Sequence, residues 1–345
     1  MNFKNLENDF SVRFNTKTKP YFTFSGTPLY ILGDLTFPDS GHSLITALSS
    51  GTALAICLEG EDYSIQETQN NIIYSCDKKK LLSYNEKNYA TPLFHAVHHL
   101  NSYFKKEPKG IKLLFEHNTI SKGFHNYMSP LITAYLKLYP DSSPENVLTA
   151  LSPIKFTKKE YFSLLSTTSL KKGHINLTDN LTLLSKDYSL PLSNAKIIII
   201  KTNIKPKRIY TDFSPISDPD DLPREQRKIL TFFVKEEKRI MTYPEITTSA
   251  DFHNLINDSC EDLLSLIDLQ PITLLVELAN KTSMLSLRPI VNSSSIYATV
   301  PDEDVDDFVK FVGNEYEKKA GAKPTFYITD TVDSGVMAKS HVKAE

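Results

Sequence analysis

The sequence predicts an α+β protein of two domains. The chain has 345 residues, long for one core and sufficient for two. Short β-rich runs, such as Ile197 to Ile200 and Ile296 to Val300, lie among longer segments with helical periodicity. Hydrophobic residues make up 40% and charged residues 23%, the balance of an ordinary globular chain.

Composition narrows the function classes. The formal net charge is −2, so no nucleic-acid partner is expected. The opening residues MNFKNLENDF lack the basic head and apolar core of a secretory signal. The apolar runs Ala53 to Leu58 and Ile197 to Ile200 are far shorter than a membrane span. No membrane partner and a cytoplasmic location are therefore expected. Cys57, Cys76 and Cys260 are too scattered for a disulfide framework or a zinc site. Only 11 glycines occur, and none lies between Gly173 and Gly313. Phosphate-binding loops need glycine, because backbone N–H groups must approach closely and φ is often positive.

In chain order, residues 1–24 read as a helical or irregular lead-in that ends in the strand Tyr21 to Phe24. Leu44 to Ser64 alternates around Ala53 to Leu58, and 61–88 is a polar strand with loops. A helix is expected from Thr91 to Phe104. Its His95, His98 and His99 have metal-compatible spacing, but no carboxylate or cysteine sits at a matching offset, so no metal site is expected. Gly110 to Glu116 reads as a strand, followed by a helix from about Leu131 to Tyr139, with Pro130 tolerable in its first turn. Ile197 to Ile200 is a strand, and the domain boundary is placed just before it, giving domains 1–193 and 194–345. Pro206 to Arg224 is a loop. Its Asp218, Asp220 and Asp221 read as a cap and solvated turn rather than a calcium site. Gln226 to Met241 is a helix. In the tail, Val305, Phe308, Val309 and Val312 fall at i, i+3, i+4 and i+7, and Gly321 and Pro324 stop that helix. Phe326-Tyr327-Ile328 opens a second strand of the tail.

The tail carries a resemblance. Ile296 to Val300, then VPDEDVDDFV, YEKKAGAKPTFY and DSG follow in order. This resembles the C-terminal end of the galactokinases, a branch of the GHMP small-molecule kinases, and implies the two-domain fold of that family, with mixed sheets packed with helices in each domain. Further matches run along the chain: Asn88-Tyr89 before a helix, Gly173-His174 with Asp179, Thr202-Asn203-Ile204-Lys205, and Leu275-Val276-Glu277-Leu278-Ala279. The family's glycine-rich segment before the tail strand is replaced here by Leu287 to Ser295.

The family's signature loops are altered where its chemistry occurs. Ser25 to Gly41 overlays the sugar-binding segment without gaps, but the family's Arg, His and Asp fall on Pro28, Leu35 and Phe37. Asp34, in the place of a sugar-binding Glu, is the one substrate-binding candidate that the resemblance leaves. At the phosphate-loop position stands Ile120 to Ser129. Lys122, Gly123 and Ser129 are the nucleotide-binding candidates that the resemblance implies, with Phe124, His125, Asn126, Tyr127 and Met128 filling the space between. In a working loop, small residues let amides wrap the phosphates and a serine reaches the magnesium. The catalytic aspartate position lands near Ser163, which cannot serve as a general base. Glu145 repeats the first letter of the family's acid motif, and Glu160 is the next carboxylate. No catalytic residue and no metal ligand are assigned.

The resemblance therefore implies a galactokinase-like protein that is catalytically impaired and acts as a sugar-binding or regulatory module. Its partner would be a sugar such as galactose, or another protein. The alternative is an active ATP-dependent galactokinase or related sugar 1-kinase with rebuilt loops, using ATP and Mg2+. A structural partner that binds no small molecule is the third reading.

Overall fold

The computed structural model describes residues 3–35, 41–105, 108–118, 124–154, 164, 170–182, 184–204, 223–266, 269–291 and 293–339. The chain begins with α1 (Phe3–Phe14), β1 (Tyr21–Leu32), β2 (His42–Cys57), β3 (Asp62–Glu67) and β4 (Tyr74–Asp77). Then come α2 (Ala90–Tyr103), β5 (Ile111–Asn118), α3 (Phe124–Leu138), α4 (Pro144–Ala150), β6 (His174–Asp179), β7 (Ser185–Ser189) and β8 (Ala195–Lys201). The rest is α5 (Arg224–Thr242), α6 (Ser249–Leu264), α7 (Gln270–Ala279), β9 (Ser286–Ile290), β10 (Ser295–Pro301), α8 (Val305–Ala320), β11 (Thr325–Thr329) and β12 (Val336–Lys339). Short 3-10 turns stand at Lys78–Lys80, Tyr243–Glu245 and Asp302–Asp304. The architecture is α+β with helices packed on two sheets, as expected; the larger sheet is mixed, while the four-stranded one is antiparallel between all its strands.

Two compact units are formed. Unit 1 is Met1–Pro28, Ala47–Lys172 and Val332–Glu345, and unit 2 is Leu29–Thr46 and Gly173–Thr331.

In unit 1 the strand order is β12-β1-β2-β5-β3-β4. β3 and β5 are parallel, and β2 runs antiparallel to β5. Leu6, Phe10 and Phe14 lie at i, i+4 and i+8 and make one face of α1, which packs on Phe22, Phe24, Ala53, Ala55, Cys57 and Leu114. Alternate residues of a strand point to opposite faces. Leu54 and Ile56 point away from α1 and are also fully buried. A strand covered on both sides explains the unbroken apolar run. A Cβ at Gly26 would sit 2.6 Å from the Leu48 carbonyl oxygen, so only glycine fits there. Helices α2, α3 and α4 pack on one another.

The helix expected from about Leu131 begins seven residues earlier, at Phe124, and ends at Leu138. Tyr127, Met128, Leu131, Ile132 and Tyr135 form a continuous buried stripe along it. That apolar face extends the helix back through residues expected to form a loop. Pro130 thus lies in the helix interior rather than in its first turn. Its missing N–H costs one bond within the helix, and its carbonyl oxygen accepts the Thr23 hydroxyl at 2.8 Å.

In unit 2 a four-stranded antiparallel sheet has the order β11-β8-β10-β9. One face, with Ile198, Ile200, Leu287, Ile296, Ala298 and Val300, packs against α7 and α8. Tyr297 lies opposite both Ile199 and Arg288, so these three share the other face. Helix α6 packs against β9. Thr248 caps α6 by accepting the Asp251 N–H and donating its hydroxyl to the Asp251 carboxylate. Gly321, at φ 68°, ends α8 in the left-handed conformation, as its position predicts. The first residues of β2, His42 to Ile45, pair with β6, which pairs with β7.

Candidate functional site

The phosphate-loop position lies between β5 and α3 in unit 1. Phe115 and His117 are two apart on β5 and share a face. Helix α3 brings Tyr127 over them, edge-on, with ring centroids 5.3 Å from Phe115 and 4.5 Å from His117. Tyr89, just before α2, stacks on Tyr127 at 5.2 Å. The Tyr127 hydroxyl donates to the carboxylate of Glu67, the last residue of β3. His117 Nε2 lies 3.7 Å from the same carboxylate, and its Nδ1 is 2.8 Å from the Thr52 hydroxyl. Tyr127, Glu67 and His117 are all buried. Burial first, and then the Glu67 carboxylate, push the Tyr127 pKa well above its ordinary value, and burial does the same to Tyr89. Tyr127 therefore stays protonated and acts as a hydrogen-bond donor to Glu67.

The nucleotide-binding candidates fall around this cluster. Ser129 sits inside α3, two positions after Tyr127, and is 2% exposed. Met128 beside it is fully buried. Lys122 and Gly123 lie outside the described residues. Glu145 stands in the first turn of α4, while Glu160 and Ser163 lie outside the described residues.

The substrate-binding candidate Asp34 lies in unit 2, just past β1. Its side chain is 2% exposed and faces Arg288, which is fully buried on β9. Arg288 Nη2 donates to Asp34 Oδ1 at 2.6 Å and to Glu236 Oε1 at 3.0 Å. Asp34 Oδ2 accepts the Val291 N–H at 2.8 Å. Arg288 Nε donates to the Ser259 hydroxyl at 2.9 Å, which donates to Glu236 Oε2 at 2.7 Å. Arg239 adds a bond to Glu236 at 3.4 Å and pairs with Asp262. Burial works against the Arg288 charge, but the Asp34 and Glu236 carboxylates outweigh it and hold its pKa above the ordinary value. Leu35, next to Asp34, packs with Phe232, Phe233, Leu263 and Val291. Pro28 lies within β1, and Phe37 is outside the described residues.

Four residues of these clusters, Arg288, Glu236, Glu67 and His117, are not singled out by sequence reasoning. Arg288 has one legible signal, a single cation inside the apolar run Leu287 to Val291. A charge there needs a buried counter-charge, but nothing in the sequence points 254 residues back to Asp34. The sequence shows Tyr127 as a bulky residue, without its partners. Among the described residues, no group of three or more His, Cys, Asp or Glu is placed to share a metal.

No protein-family model matches the chain, and no curated protein does. Solved structures do match over nearly its whole length. Lactococcus lactis galactokinase complexed with galactose superposes with a TM-score of 0.78 at 16% identity, covering 98% of this chain and 100% of that one. Mevalonate kinase from Methanococcus jannaschii has a TM-score of 0.68 at 14% identity, covering 92% and 100%. Mevalonate-3-kinase from Thermoplasma acidophilum, with mevalonate bound, has 0.55 at 13% identity, covering 94% and 99%. The chain thus has the fold of the GHMP kinases. At these identities the likeness concerns the fold, and chemistry has to be argued from the side chains.

Proposed function

We propose that this protein is a sugar-binding or regulatory module built on a GHMP kinase fold, and not an efficient phosphotransferase. The observation that carries this reading is the first half of α3. Where a kinase of the resembled family has a loop of small residues, Tyr127 stacks on Tyr89 and bonds Glu67, and Met128 and Ser129 are buried. Side chains of this size, packed this way, stand where the resembled loop has small residues that let amides wrap a triphosphate. ATP and Mg2+ are the cofactors an active form would require, and the residues of α3 do not fit them. Asp34, with both oxygens engaged, serves in this reading as an anchor of unit 2.

Thermal unfolding and ADP release test this together. Mg-ATP at ~100 times a dissociation constant would stabilise the protein by about 2.7 kcal/mol. The expected results are no stabilisation by Mg-ATP and no ADP formed above the protein-free rate with galactose present. Stabilisation by galactose alone would favour the sugar-binding role, and stabilisation by neither ligand would favour a structural partner that binds no small molecule. Turnover of ATP with galactose would overturn the proposal in favour of an active kinase with rebuilt loops.

A further inference from the structure

We propose that the protein self-associates through β11, the outer strand of the unit 2 sheet, by antiparallel pairing with β11 of a second copy. β11 pairs with β8 along one side. The sheet ends there, and among the described residues no strand pairs with its other side. An outer strand offers a row of backbone donors and acceptors to any extended chain. Proteins blunt such strands with charges or proline.

The other terminal strands of the two sheets follow that rule. β4 carries Asp77, β7 carries Lys186 and Asp187, β9 carries Arg288 and Pro289, and β12 ends in Lys339. β11 reads Thr325-Phe326-Tyr327-Ile328-Thr329, with neither a charge nor a proline. Its Phe326 and Ile328 lie opposite Ile200 and Ile198, on the face that α7 and α8 cover. Ile198 is fully buried, whereas Ile328 is 52% exposed. At this edge the apolar face runs on past its cover.

The strand's own sequence points to a second copy as the occupant. About Tyr327 it reads alike from either end, with Thr matching Thr and Phe matching Ile. A two-fold axis at Tyr327 sets Tyr327 of one copy beside Tyr327 of the other, Phe326 beside Ile328, and Thr325 beside Thr329. Aromatic pairs, aromatic–β-branched pairs and Thr–Thr pairs are combinations that stabilise facing strands. Both Phe–Ile pairs fall on one face, so the apolar layer continues from one copy into the next. The two four-stranded sheets then become one. Thr329 is already 4% exposed, so the new burial comes from Phe326, Tyr327 and Ile328. An unrelated peptide would satisfy the backbone groups but not this register. So small a contact makes the association weak.

Sedimentation of the full chain, without nucleotide or sugar, tests this independently of the functional reading. Between about 1 and 200 µM the wild type should shift from monomer toward dimer. Tyr327→Lys and Tyr327→Glu each set like charges face to face across the axis, and each should weaken association about tenfold or more. Mixed in equal amounts, the two variants should associate again, because opposite charges then face each other. Only a contact in which position 327 meets itself predicts that rescue. Ile328→Lys, at the more exposed position, should weaken association too, with a melting temperature matching the wild type. A monomer at every concentration, association unchanged in Ile328→Lys, or a mixture of folded Tyr327 variants no better than either alone would overturn the proposal.

Discussion

The two buried polar clusters are built on opposite principles. In unit 2, Arg288 meets Asp34, Glu236 and Ser259, so charge is balanced by charge and each carboxylate oxygen is used. In unit 1, Tyr127, Tyr89, Phe115 and His117 are held mainly by ring contacts, with the Tyr127–Glu67 and His117–Thr52 bonds as polar links. A charged cluster is unforgiving, because removing one member strands the others in a low-dielectric interior. An aromatic cluster tolerates loss of a hydroxyl better, because its packing survives. The first ties distant segments of unit 2 together. The second packs the first half of α3 against β5.

The sharpest way to break this contrast is Arg288→Ala. It leaves Asp34 and Glu236 buried without their cation and should cost about 3–5 kcal/mol, read from urea unfolding monitored by circular dichroism. A loss below about 1 kcal/mol would mean that the carboxylates find water or protons easily, and the cluster would not be an anchor.

Tyr127→Phe probes the other cluster. The ring contacts remain and Glu67 loses one donor, so about 1–3 kcal/mol should be lost in the same assay. An unchanged midpoint would show that the hydroxyl bond contributes nothing beyond the packing.

The smallest effect concerns pH. His253 on α6 meets hydroxyls rather than carboxylates: its ring nitrogens lie 2.9 Å from Ser249 Oγ and 3.0 Å from Ser286 Oγ. Burial lowers its pKa below the ordinary 6.5. The unfolded chain therefore binds this proton at a pH where the folded one does not. Its effect is absent above 6.5, and stability falls as pH drops below that value toward the folded pKa. One such group gives a slope of at most about 1.4 kcal/mol per pH unit. His253→Gln should flatten the decline in melting temperature between neutral and mildly acidic pH. If the decline is the same in the variant, other groups cause it.

Much of the architecture is legible from short-range pattern. Ile197 to Ile200 forms the middle of β8, and Val305, Phe308 and Val312 form the buried face of α8. Each is decided by periodicity within a few residues, and burial in the fold agrees with it. The start of α3 is not legible in the same way. Overlay on a family loop hides the helical stripe that runs from Tyr127 and Met128 to Tyr135. The polar clusters are not legible either. Periodicity reports which residues turn inward, but says nothing of which of them meet.

The sequence by itself determined the α+β class, most strands and helices, and the large side chains at 124–128. Those follow from local geometry and side-chain size, which a linear string records. Only the tertiary structure decided that Asp34 pairs with Arg288 and that Tyr127 bonds Glu67. Electrostatics and hydrogen bonding act over a few ångströms of space, and residues separated by tens or hundreds of positions come that close only when the chain has folded.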